Sequence, residues 1–164
     1  MSNLFTPSLV FKPFFYPQAN DITVAHEKIH WVETEADLID DVADWKLGRV
    51  SREEKNFIVQ ILRLFTASDV LVGGFYYNNL IPRFLNNEVR VMLGSFANRE
   101  GVHQRAYSLL NETLGLPASE YHAFLEYKEM ADKADHMMAA DTTTDHGLML
   151  ALAKGVANEG VSLF

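Results

Sequence analysis

The sequence predicts an all-α fold, and three observations predict it. A capping box, Ser51-Arg-Glu-Glu54, opens a stripe of apolar residues at helical spacing. A run compatible with helix extends from Glu88 to Leu114 and is closed by Gly115 and then Pro117. The segment from His146 onward is apolar nearly all round, as a helix placed in a core would be. At 164 residues and 48% hydrophobic content, the chain suffices for one domain with a packed core.

Composition excludes several classes. With no cysteine there is no disulfide framework, thiolate metal site or catalytic thiol. Twenty-two acids against fourteen bases give a net charge of −8, which disfavours nucleic acid or anionic membrane as a partner. No charged-then-apolar leader opens the chain, and no uninterrupted apolar run approaches the ~20 residues of a membrane span. The expectation is a cytoplasmic protein.

Residues 1–19 hold three of the five prolines together with Phe5, Phe11, Phe14, Phe15 and Tyr16, and read as an extended arm lying on a body formed by residues 20–164. Asp21 is expected to begin a short helix that delivers Trp31. His26 and His30 stand at i, i+4, a metal-capable spacing whose simpler reading is a solvent-facing pair. Glu33 to Gly48, with Asp40-Asp41, reads as an acidic, solvated connection.

The helix opened by Ser51 keeps its stripe (Phe57, Ile58, Ile61, Leu62, Leu64, Phe65, Val70, Val72) to about Tyr77. Gly73-Gly74 loosens it, and Pro82 with Asn86-Asn87 ends it. Asp69 sits alone among apolar neighbours, which is costly unless it is paired or ligating; an Asp on a narrow polar edge is the alternative. Ser119 is placed to cap a helix from Glu120 to about Ala139, whose His122, Glu126, Glu129 and His136 mix with lysines as a solvated face. Asp141-Thr-Thr-Thr-Asp145 breaks the chain and offers an N-cap. In the last helix, His146 to Phe164, the one acid is Glu159, and a buried carboxylate there needs a partner.

The chemistry concentrates in Asn98-Arg-Glu-Gly-Val-His-Gln-Arg-Ala-Tyr107. Glu100, His103 and Tyr107 stand at i, i+3 and i+7, within roughly 60° of one another on one helix face. A carboxylate and an imidazole one turn apart can hold one metal ion, and Glu-x-x-His is the pairing of dimetal helix bundles. The tyrosine adds a redox-active phenol roughly 10 Å along the axis from the carboxylate. Alone, Glu-x-x-His is common by chance. Joined by Asp69 and Glu159 from other helices, the set offers hard oxygen donors plus imidazole, which suits iron or manganese.

The order of these residues resembles the small, radical-generating subunit of class I ribonucleotide reductase. The matching segments are Tyr16-Pro17, Ile29-His30-Trp31, Phe65-Thr-Ala-Ser-Asp69, Ala106-Tyr-Ser-Leu-Leu110 with Thr113-Leu-Gly115, and Glu159-Gly160 with Leu163-Phe164. The resemblance implies a ferritin-like helical bundle with two metal ions per complete site, iron first, manganese or a mixed pair otherwise. It implies Asp69, Glu100 and His103 as ligands of one metal, Glu100 able to bridge, and Glu159 on the second. Tyr107 would be the phenol oxidised to a stable radical after the reduced metals react with dioxygen, and Trp31 would serve electron transfer. A large catalytic subunit would use that oxidising hole to reduce ribonucleotides.

The family's second Glu-x-x-His, beyond Glu159, and its C-terminal docking tail have no counterpart in this sequence, so four of six ligands are present and the bundle is incomplete at its C-terminus. The run to Phe164 ends in mid-pattern, with no glycine, proline or basic last turn. The expectation is therefore the N-terminal part of a split small subunit, inactive without a separate C-terminal fragment. Such a division is familiar in phage genomes, and the location would then be the host cytoplasm. Assembly is expected as a homodimer or a heterotetramer with that fragment. Another ferritin-like diiron oxidase, an inactive helical remnant that packs on a partner, and a laboratory truncation are the alternatives.

Overall fold

The structure is a computed structural model that describes residues 3–139 and 141–160, excluding the side chains of Phe124, Lys133, Met137, Met138 and Glu159. Among the described residues the regular elements are all helical: α1 (Pro17–Glu27), α2 (Ile39–Lys46), α3 (Arg52–Phe75), α4 (Ile81–Arg83), α5 (Asn87–Leu114), α6 (Glu120–Ala123), α7 (Lys128–Met138) and α8 (Asp145–Gly160). α3 and α5 form the main pairing; α1 lies along α5, and α6 and α7 lie against α3.

Local sequence explains most boundaries. Ser51 accepts from the Glu54 N–H while the Glu54 side chain accepts from the Ser51 N–H, which completes the capping box at the start of α3. The Asn86 side chain caps α5 by accepting from the Val89 N–H at 3.2 Å. Gly115 closes α5 at φ 74°, a left-handed conformation that glycine adopts without a Cβ clash. Thr144 Oγ1 accepts from the Gly147 N–H at the head of α8.

Several expectations need correction. Asn86-Asn87 starts a helix rather than ending one. The helical path of α3 runs through a π-turn at Tyr76–Leu80 into α4, so Gly73-Gly74 does not interrupt it and Pro82 falls inside the run. Inside the run Pro82 forfeits one intrahelical bond, just after a π-turn where the ladder is already rearranged; a proline in a first turn costs none. α1 begins at Pro17, ahead of Asp21, for this latter reason. Glu33–Gly48 is partly ordered, with a 3-10 turn at Glu33–Glu35 followed by α2. The helix expected from Glu120 to Ala139 is broken into α6, a 3-10 turn and α7, with Tyr127 extended between them.

A buried cluster of Phe75, Leu80, Phe84, Val89, Leu93, Leu148 and Ala151 joins α3, α5 and α8. The arm lies on it: Leu4 and Phe5 pack against the cluster, and the Leu4 carbonyl accepts from the Leu85 and Asn86 N–H groups. α8 is not enclosed as expected, since Met149 and Val156 are 69% and 72% exposed. The run Arg52–Arg83 is long and apolar enough to match a membrane span by length and composition, a test that the core helix of a bundle also passes.

Candidate metal centre

α3 presents Asp69 and α5 presents Glu100 and His103, and the ligand atoms of all three lie within 4.8 Å of one another. His103 Nδ1 is 3.4 Å from Glu100 Oε2 and 3.9 Å from Asp69 Oδ2. The carboxylates are largely withdrawn from water, with side chains 14% and 11% exposed, while the imidazole is 35% exposed. The predicted i, i+3 pairing on α5 and the lone acid on α3 are thus brought together. A buried carboxylate pair answered by one imidazole is costly without further positive charge. Hard oxygens and one nitrogen are the donors that a divalent iron or manganese ion prefers.

The electrostatics follow from this closeness. The hydrogen bond to Glu100 raises the His103 pKa above its ordinary value; burial opposes the rise, the Glu100 and Asp69 charges add to it, and Arg99 subtracts. Burial raises the Tyr107 pKa, and the charges of Asp69 and Glu100 raise it further. The Tyr107 ring stacks on Phe65 of α3, with centroids 5.7 Å apart and planes 5° apart.

Trp31 lies against the same centre, stacked on the His103 ring at 5.9 Å and 25°. Its carbonyl accepts from Arg99 Nη1 at 3.4 Å, and two residues on Glu33 pairs with Arg105 at 2.9 Å. Two arginines of α5 therefore hold the segment that bears the indole.

Not every candidate joins. Glu159 falls at the end of α8, and its side chain lies outside the described residues, as do Leu163 and Phe164. His30 is exposed, but His26 is half-buried, its Nδ1 2.7 Å from Ser95 Oγ, which also bonds Glu27. The histidine pair is therefore not wholly solvent-facing: His26 helps seat α1 on α5. His122, Glu126, Glu129 and His136 are exposed, as expected of a solvated face.

Sequence reasoning missed Gln104, whose Nε2 donates to the Asp69 carbonyl at 3.0 Å. Its spacing from Glu100, i to i+4, places it beside the ligands and was the available signal.

This is an all-α protein with a candidate carboxylate–imidazole metal centre between its two longest helices. Over residues 8–164 it matches the family described as "Ribonucleotide reductase, small chain", and it belongs to that family, whose ferritin-like helical fold it shares. It is similar to a probable ribonucleoside-diphosphate reductase small subunit of Invertebrate iridescent virus 6, at 46% identity over 127 residues, covering 77% of this chain and 35% of the relative. The corresponding protein of Invertebrate iridescent virus 3 is 49% identical over 123 residues, covering 75% of this chain and 32% of the relative. A putative ribonucleoside-diphosphate reductase small subunit of Arabidopsis thaliana is 33% identical over 105 residues, covering 62% of this chain and 63% of the relative. The chain thus spans about a third of the length of the two viral relatives.

Proposed function

We propose that this chain supplies one ligand group of a dimetal centre, and the oxidisable tyrosine beside it, to the small subunit of a ribonucleoside-diphosphate reductase. One observation supports this above the rest: Asp69 converges from α3 on Glu100 and His103 of α5, with Tyr107 one turn further along. Asp69, Glu100 and His103 would hold one metal, with Glu100 able to bridge to a second that Glu159 would help hold. The remaining ligands, a second Glu-x-x-His, would come from polypeptide beyond this sequence, in a homodimer or heterotetramer. The metals, iron first and manganese or a mixed pair otherwise, would supply the oxidising power, drawn from dioxygen, that a phenol resists. The partner would be a large subunit that reduces ribonucleotides, and the location cytoplasmic.

The protein's own groups set the terms of that oxidation. Tyr107 is protonated at neutral pH as any phenol is, and burial and the nearby carboxylates raise its pKa further. Oxidation to a neutral radical would therefore have to release the Oη proton as well as the electron. Phe65 covers one face of the ring and restricts water there. Trp31, stacked on His103, offers an aromatic route for an electron toward the centre.

The test is Tyr107→Phe in an assembly that includes the second Glu-x-x-His. Phe keeps the ring and its stacking, so metal content should be unchanged while the tyrosyl signal in electron paramagnetic resonance and the reductase activity are abolished. A tyrosyl signal that survives the substitution overturns the assignment.

A further inference from the structure

Gln104 ties α5 to α3 at the residue that bears a candidate ligand, through its bond to the Asp69 carbonyl. Within an α-helix that carbonyl already accepts from the N–H four residues on, which belongs to Gly73. A second donor from another helix reaches it more readily where the helix surface above it is bare. Gly73 leaves it bare: a Cβ there would lie 3.2 Å from Gln104 Nε2 and 3.4 Å from Glu100 Cβ. Glu100 Cβ is fixed to the backbone of α5, whereas the amide is a mobile tip, so an added methyl would make the amide give by a few tenths of an ångström, away from its carbonyl. By contrast, a Cβ on Gly94, in the interior of α5, would meet nothing within 4 Å.

We propose that Gly73 and Gln104 form a positioning pair, a notch and a bridge that seat α3 on α5 and hold Asp69 at ligating distance from Glu100 and His103. The proposal rests on the metal-centre reading above. Neither residue ligates; both act through Asp69. Because one contact unites them, breaking it from either side should have the same consequence.

The test titrates the full chain with cobalt(II), following its visible absorption bands. Gln104→Met keeps the length and removes the donor, and should lower cobalt affinity about tenfold, as loss of a ligand-orienting contact does. Gly73→Ala should do the same. The double variant should lose no more than either single one, whereas independent effects would multiply. A readout without metal accompanies it. Glycine to alanine inside a helix ordinarily stabilises, so Gly94→Ala should raise the melting temperature and Gly73→Ala should lower it. Should Gln104→Met not fold, Gln104→Leu takes its place.

Wild-type affinity in the Gln104 variants, multiplying effects in the double variant, or stabilisation by Gly73→Ala overturns the pair while leaving the metal centre standing. If the wild-type chain shows no cobalt bands that His103→Gln removes, the metal-centre reading falls, and the pair with it.

Discussion

Glu88 shows how one buried charge can organise a chain terminus. It is 4% exposed, yet its Oε1 accepts from the backbone N–H groups of Phe15 and Tyr16 at 2.6 and 2.8 Å. Burial pushes its pKa up, but the N–H groups of Tyr16, of Glu88 itself and of Phe15, with the Asn86 side chain, pull it down further, and the net shift is below the ordinary carboxylate value. Its place in the first turn of α5 also suits a negative charge. A depressed folded-state pKa contributes stability that is present above the unfolded value and lost as pH falls through the folded one. Glu88→Gln should therefore cost about 1.5–3 kcal/mol at neutral pH, the worth of hydrogen bonds to a charged group. The gap should close as pH falls from the ordinary carboxylate range through the lower folded-state pKa, where the wild-type carboxylate is protonated too. Thermal melts of both proteins across that range decide it, and a gap independent of pH would refute the charge as its source.

At the scale of elements, the caps fix where the two ligand-bearing helices start and stop. Ser51→Ala should destabilise by about 1 kcal/mol through loss of the α3 cap, and Gly115→Ala by about 1–2 kcal/mol through left-handed strain; chemical denaturation measures both. These features were legible because a cap or a C′ glycine is written in adjacent residues. Glu100, His103 and Tyr107 were legible for a related reason, since helical periodicity alone places them on one face. Asp69 was visible as an acid among apolar residues, and the family resemblance rather than spacing joined it to Glu100 and His103. What escaped was set by contacts between helices. Gly73 looks like a helix weakener until α5 is laid across it, and His26 looks solvent-facing until Ser95 is brought beneath it. The break at Tyr127 likewise follows from packing, because its hydroxyl donates to Gln60 of α3 and the neighbouring Arg63 pairs with Glu120.

At the scale of the whole molecule, the described residues leave an apolar face open and bring together a single candidate ligand group. α8 leaves Met149 and Val156 open, and Val72, Phe75, Leu93, Phe96, Leu152 and Val156 line a cavity of about 270 Å³ between α3, α5 and α8. Three candidate ligands form one group between α3 and α5, built on one Glu-x-x-His where bundles of this class use two. Glu27-Lys-Ile-His30 has the same spacing but does not provide the second, because Glu27 bonds Ser95 and His30 is exposed. On the proposed reading, one ligand group would hold one divalent ion, whereas oxidation of Tyr107 would need a pair. The chain by itself should therefore bind about one divalent metal weakly and form no tyrosyl radical. A polypeptide supplying the second Glu-x-x-His should raise the content to about two metals per assembled unit and allow the radical to form. Metal analysis and electron paramagnetic resonance, with and without that polypeptide, make the comparison. Two tightly held metals and a tyrosyl signal in the chain alone would sink the idea, because they would require ligands that α3 and α5 do not supply.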